Sequence, residues 1–455
     1  MTTKRGEAGC EGAWSGARAS AGPRSGSRTS PRGRESDRAP SPLRSVTKPP
    51  AVYRKLTMYK RLLSILLSFL LLTGCAGQVP DGLTTDPLGS GPPQASPSEP
   101  AQEPNSKAVA VETLLSAMTL EEKVGQLFFV RCPADRAAEM VSEYHLGGYI
   151  LFGADFRDAG GNWLTREQFT EQLTAYQAAT DIPLLIGVDE EGGTVVRASR
   201  NPNLFEAKRQ SPQEVYGWGG LDAVVQDTLL YNSGLLELGI NVNLAPVADV
   251  STNQSDFIYA RSFGQDGTAT ANYIEAAVSA TNQVRYEPGD GTERAIGSVL
   301  KHFPGYGNNA DTHTGAAIDR RPYEQFASED FLPFQAGIRA GAGGVMVSHN
   351  VVISMDPTLP ASLSPEVHRI LREELGFEGV IMTDDLAMDA VDAYAADGSV
   401  AVLAVLAGND LIVTTNFEEQ IPLVIDAVRS GELSENLVDQ AVRRVLGWKY
   451  DLGLL

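Results

Sequence analysis

The stretch that decides the fold is GVMVSHNVVISMDPTLPASLSPEVHRILREELGFEGVIMTDD, residues 344–385. It opens on an apolar run, Gly344–Ser348, and closes on another, Gly379–Thr383. Runs of four to seven residues rich in Val, Ile and Leu read as strands buried on both faces, as in a parallel sheet. Between them lies a helix signature over Ser364–Leu375. Ser364 is placed to cap it, Pro365 fits the first turn, Glu366 supplies an early acid, and Gly376 stands at the exit.

The same alternation extends in both directions. Further runs are Gly125–Val130, Gly148–Phe152, Pro183–Val188, Ile240–Pro246, Ile296–His302 and Asp410–Thr414. Helical stretches at Thr165–Thr180, Leu221–Leu238 and Ala269–Val284 stand between some of them. Strand alternating with helix eight times predicts an α/β fold, a (β/α)8 TIM barrel forming a single catalytic domain over residues 108–455. An open doubly wound sheet is the competing arrangement, but no glycine-rich nucleotide fingerprint follows the first run.

The N-terminal part reads as an address. Lys60 and Arg61 precede eleven apolar residues, Leu62–Leu72, and then Thr73-Gly74-Cys75. That run is shorter than the roughly 20 residues a membrane-spanning helix needs, and it fits a signal sequence. The ending resembles a bacterial lipoprotein signal, which implies lipidation at Cys75. Residues 1–74 are therefore expected to be an N-terminal extension and lipoprotein signal peptide, with Met58 as the natural start. Residues 75–107 are expected to be a disordered tether: Ala76–Lys107 carries seven prolines and no aromatic residue. The folded part is then expected on the extracellular face of the cell membrane, lipid-anchored through Cys75, as a monomer.

Charge narrows the partners. The chain nets −20, and the part up to Gly74 holds 14 Lys and Arg against 4 Asp and Glu, so the remainder nets −30. Such a surface repels phosphate backbones, and nucleic acid is not expected as a partner. Cys10, Cys75 and Cys132 are too few for a disulfide framework, and Cys132, ending an apolar run, reads as core.

In a barrel of this kind chemistry gathers where strands end. The third run ends in Asp189-Glu190-Glu191, the fourth leads to Asp249, the fifth ends in Lys301-His302, the sixth in Ser348-His349-Asn350 and the seventh in Thr383-Asp384-Asp385. No Ser-His-Asp spacing, cysteine nucleophile or paired-histidine metal motif is present, so neither a metal nor another cofactor is expected. Carboxylates beside Lys, His and Arg donors suit a polyhydroxylated ligand and glycoside cleavage.

GVDEEGGTVVR (187–197), NLAPVADV (243–250), RSFG (261–264), KHFPGYG (301–307) followed by DTH (311–313), VMVSHN (345–350) and GVIMTDDLAM (379–388) together resemble glycoside hydrolase family 3. Within it they resemble the single-domain bacterial β-N-acetylhexosaminidase branch. The likeness covers about residues 111–455. It implies Asp384 as a nucleophile forming a covalent glycosyl-enzyme and His313 as the acid/base, oriented by Asp311. It implies Asp189, Arg197, Arg261, Lys301 and His302 as ligands of the non-reducing-end sugar. Asp249 is read as a structural cap or a residue behind the site, and His349 and Asn350 as candidates for the pocket lining. Asp385 is read as the cap of a helix starting at Leu386, and His145 and His368 as helical surface residues. The expected reaction is retaining, exo-acting hydrolysis of terminal β-linked N-acetylglucosamine, from an oligosaccharide or muropeptide such as a peptidoglycan fragment. A β-glucosidase or xylosidase of the same family, a phosphate acceptor in place of water, and a non-catalytic sugar-binding lipoprotein are the alternatives. Tyr306, Thr194 and the short Asn308-Asn309-Ala310 spacer depart from the commonest family pattern and bear on substrate preference.

Overall fold

Each apolar run carries a strand in the computed structural model, which describes residues 106–309, 312, 317–388, 390–391, 394 and 399–455. The strands are β1 Phe128–Arg131, β2 Gly148–Leu151, β3 Leu185–Val188, β4 Val242–Asn243, β5 Gly297–Phe303, β6 Gly344–Val347, β7 Val380–Thr383 and β8 Ile412–Thr414. They pair in parallel in the order β7-β6-β5-β4-β3-β2-β1-β8. A bridge between Met382 and Leu411 and a bond from the Thr383 amide to the Leu411 carbonyl (3.2 Å) join the two ends. This is the (β/α)8 barrel that the alternation predicts.

The interior is filled side chain by side chain. Phe129 of β1 is fully buried, and a Cβ on Gly187 of β3 would come within 2.4 Å of its ring. Gly187 is thus the gap the phenyl ring fills, and burying that ring contributes about 2–3 kcal/mol. Above it Ile150, Leu244, Met346 and Val413 come from alternate positions around the barrel, the layering expected when inward residues of even strands share a level. The base is closed by the helix Glu435–Asp451, whose Trp448 packs so closely that a Cβ on Gly343 would lie 2.2 Å from the indole nitrogen.

Several boundaries differ from expectation, each for a local reason. The first run starts late because Gly125 and Gln126 end a helix, Leu120–Gln126, closed at its start by a Thr119–Glu122 capping box. The long helix begins at Pro212 rather than Leu221. Ser211 and Glu214 form its capping box, and Gly219 and Gly220 kink it where the periodicity is broken. A helix Ser106–Ala117 takes in the last two residues read as tether. The predicted helix at Ser364 forms as Pro365–Arg369 continued by a π turn, Ile370–Glu374, with Ser364 accepting from the Val367 amide. His368 on it is buried, contrary to a surface position: its Nδ1 donates to the Ser364 carbonyl (2.8 Å) beside Gly408. His145 ends the helix Ala137–Tyr144 half-buried. Residues 386–388 form a turn rather than helix. Cys132 is buried. No helix among the described residues is long and apolar enough to cross a membrane. Cys75 and the stretches read as signal and tether up to residue 105 lie outside the described residues.

Candidate active site

The strand ends open into a pocket of about 280 Å³ whose floor is the Ile150–Leu244–Met346–Val413 layer. All five expected sugar ligands meet there in one network of ion pairs and hydrogen bonds. Lys301 Nζ lies 2.6 Å from Asp189 Oδ1 and 2.7 Å from Glu191 Oε1. Arg261 grips Glu191 with two bonds, Nε to Oε2 at 3.0 Å and Nη2 to Oε1 at 2.7 Å. Arg261 Nη2 also stands 3.1 Å from His302 Nε2, and Arg197 Nη2 lies 3.6 Å from Asp189 Oδ2. Burial opposes ionisation of Glu191, but Arg261 and Lys301 outweigh it and hold the carboxyl well below the usual range. For Lys301 burial is likewise outweighed, by Asp189 and Glu191, and its ammonium titrates above the ordinary value.

Consecutive residues of a regular strand point to opposite faces, yet Lys301 and His302 both line the pocket. The register of β5 against β6 slips between Lys301 and Phe303, and this bulge turns both side chains inward. Asp249 then fixes the imidazole. Its Oδ2 meets His302 Nδ1 at 2.7 Å and its Oδ1 accepts from the Tyr306 amide at 2.7 Å. Asp249 is fully buried and acts behind the pocket wall. With Nδ1–H donating to that carboxylate, Nε2 is the acceptor that receives the Arg261 N–H.

Asp384 follows β7 and lines the same pocket. Its amide donates to the Val347 carbonyl (3.0 Å), which anchors it to β6, and its Oδ1 accepts from the Asp385 amide (2.9 Å). Asp385 accepts from the Ala387 amide (3.0 Å), the capping geometry read for it, while burial and then the neighbouring Asp384 charge push its carboxyl upward. His313 and Asp311 lie outside the described residues. Thr312 between them is described and fully buried, and its hydroxyl is bonded to that of Tyr306.

His349 does not line the pocket. It is buried below it, with Nε2 donating to the Asp385 carbonyl (3.0 Å) and Nδ1 bonded to the Ser362 hydroxyl (2.7 Å), so it supports the loop that carries Asp384. Asn350 is also buried and outside the lining. Glu191, Arg131 and Phe152 are among the pocket residues not singled out as sugar ligands from the sequence. For Glu191 the signal is its spacing of two from Asp189, which puts both on one face of the extended chain. Glu190 between them turns away, and its Oε2 accepts from the amides of Arg197 and Ala198, both at 2.9 Å. It thereby fixes the backbone of Arg197.

Residues 119–447 match the family model described as the glycosyl hydrolase family 3 N-terminal domain. The chain is 34% identical over 315 residues to a protein named Beta-hexosaminidase from Stenotrophomonas maltophilia (strain R551-3), covering 67% of this chain and 86% of that one. It is 31% identical over 403 residues to Beta-hexosaminidase LpqI of Mycobacterium tuberculosis, covering 83% and 94%. It also resembles the solved glycoside hydrolase family 3 beta-N-acetylglucosaminidase from Paenibacillus sp. str. FPU-7, with TM-score 0.66 and 30% identity, over 74% of this chain and 63% of that one. The present chain thus spans less than two thirds of the Paenibacillus chain.

Proposed function

This chain belongs to glycosyl hydrolase family 3, and from that premise we propose that it is a retaining, exo-acting β-N-acetylhexosaminidase. The observation that carries the reading is the meeting of Asp384 with Asp189, Lys301 and His302 in one small pocket. Relatives named beta-hexosaminidase, at 31–34% identity, support the choice of sugar. Asp189, Arg197, Arg261, Lys301 and His302 hold the terminal N-acetylglucosamine through charge-assisted bonds to its hydroxyls. Asp384 attacks the anomeric carbon while His313 gives its proton to the leaving oxygen, which produces a glycosyl-aspartate and a free aglycone alcohol. His313, now neutral and held by Asp311, takes a proton from water. The hydroxide oxygen displaces Asp384, and the β configuration is restored.

Hydrolysis of nitrophenyl N-acetyl-β-glucosaminide, beside the glucoside and xyloside, tests the sugar. Trapping of the glycosyl-enzyme on the peptide containing Asp384 tests the nucleophile. Asp384→Ala is expected to lower kcat by at least about 10³-fold; unchanged turnover would remove Asp384 from this role. His313→Ala is expected to slow nitrophenyl substrates less than natural disaccharides, because a good leaving group needs little protonation.

The reading extends to a muropeptide or related oligosaccharide as substrate and to a lipid anchor on Cys75 at the outer face of the membrane. The roughly 30 residues between Cys75 and the helix at Ser106 reach roughly 30 Å as a random coil, enough to hold the barrel clear of the bilayer. Incorporation of labelled fatty acid into the native protein, lost in Cys75→Ala, is the expected result. A mature chain beginning before Met58 would refute it.

A further inference from the structure

We infer that the Tyr306 hydroxyl is the positioning group that sets where the Asp311-Thr312-His313 element stands against the bound sugar. The inference rests on the hydrolase reading above, in which His313 is the acid/base, and adds a residue that acts through it. Tyr306 departs from the commonest family pattern, yet it does not line the pocket. It is almost wholly buried, with its ring edge-on to the His302 imidazole at 5.1 Å between centroids and 5.8 Å from the Phe257 ring. Any influence on the substrate therefore passes through a neighbour. Its hydroxyl is bonded to the hydroxyl of the fully buried Thr312.

Two ties act on this stretch of chain at different places. The first holds its ends. Arg321 Nη2 donates to the Gly305 carbonyl (2.9 Å) and to Asp319 Oδ2 (2.7 Å), while Nη1 pairs with Asp330 Oδ2 (2.9 Å). Asn309 Nδ2 also donates to Asp319 Oδ2 (2.7 Å). The second tie is the Tyr306–Thr312 pair, which acts between those ends. Consecutive Cα atoms stand about 3.8 Å apart across a trans peptide, so seating Thr312 restricts the residue on either side of it. Tyr306 is itself fixed. Its amide donates to Asp249 Oδ1 and Asp249 Oδ2 meets His302 Nδ1, both at 2.7 Å. One buried carboxylate thus holds a sugar ligand and the residue that seats Thr312, which gives the two halves of the site a common reference. Burial, then the Asp384 charge, keeps the phenol above its ordinary value, so the group offered to Thr312 is a hydroxyl at neutral pH. Such a bond acts on rate through geometry, since a catalytic group misplaced by about 1 Å can cost about 10²-fold.

The test compares release of N-acetylglucosamine from a β-linked disaccharide with release from the dinitrophenyl glycoside, whose leaving group needs no proton. Tyr306→Phe keeps the ring and the amide bond to Asp249. Its kcat/KM for the disaccharide is expected to fall about 10-fold to 10²-fold. For the dinitrophenyl glycoside the change is expected to stay under about 3-fold, with inhibition by free N-acetylglucosamine as in the native enzyme. Thr312→Val should repeat this split, and Thr312→Ser should restore most of the disaccharide rate. Tyr306→Phe combined with Thr312→Val should be no worse than either alone, because both remove one bond. A packing role alone would slow both substrates alike and weaken N-acetylglucosamine binding. That result, an unchanged disaccharide rate in Tyr306→Phe, or losses that multiply in the double variant overturns the inference. Native enzyme that releases no N-acetylglucosamine from either substrate overturns the hydrolase reading, and the inference with it.

Discussion

Glu191 shows what a single residue contributes when three charges are buried together. Its carboxylate is almost wholly shielded and takes three bonds from Lys301 and Arg261, themselves among the expected sugar ligands. Glu191→Gln keeps the shape but leaves two cations short of a counter-charge. A loss of about 3–5 kcal/mol is expected, as when one partner of a buried pair is removed, read by denaturant unfolding. The pH sign follows from the depressed folded value. The stabilisation is present above the ordinary carboxylate range and is lost as pH falls through the folded value, so the native and variant unfolding curves should converge only in strong acid. At this scale the sequence was legible where chemistry ends a strand, as at Lys301 and Asp384. It was less so for three consecutive acids, where only the pleat decides that Asp189 and Glu191 enter the pocket and Glu190 caps the turn beside Arg197.

Among the elements, the eight strands could be read because parallel strands buried on both faces are nearly continuous apolar runs. Their ends could not, since a capping box at Thr119 and a two-residue β4 leave no mark in hydrophobicity. The bulge in β5 was equally hidden, though it brings His302 to the pocket. The joint between β7 and β8 has its own device. Asp410 is buried and raised by that burial, yet it accepts from the Ile381 amide (2.8 Å) and pairs with Arg372 and with Arg444 (3.0 Å). Asp410→Ala leaves two guanidiniums and a strand amide unmatched where the barrel closes. The expected cost is again about 3–5 kcal/mol, and the amides of Ile381 and Leu411 should exchange hydrogen faster. Slower or unchanged exchange there would show that the bridge between Met382 and Leu411 holds the joint without the carboxylate.

For the whole molecule, one buried amine links the end of the chain to the start of the barrel. Lys449, on the helix that closes the base, has no exposed surface, and its Nζ donates to Gln126 Oε1 at 2.6 Å. The Gln126 amide in turn donates to the His145 carbonyl at 2.8 Å. With one neutral acceptor and no carboxylate partner among the described residues, burial lowers the amine from 10.5 to about 7. Near pH 8 the folded protein therefore holds Lys449 mostly neutral while the unfolded chain binds its proton. Unfolding then takes up close to one proton, and stability rises with pH by up to about 1.4 kcal/mol per unit between those two values. Below pH 7 both states are protonated and this dependence disappears. Lys449→Met removes the titrating group and keeps the apolar stem, at the cost of an unpaired Gln126 carbonyl that does not titrate. Chemical unfolding of native and variant protein across pH 7.5–9.5 should give a difference that grows with pH in favour of the native chain, because groups common to both cancel. A flat difference over that range would mean that Lys449 keeps its proton inside the fold, with water or a carboxylate reaching it from the loop that carries His145.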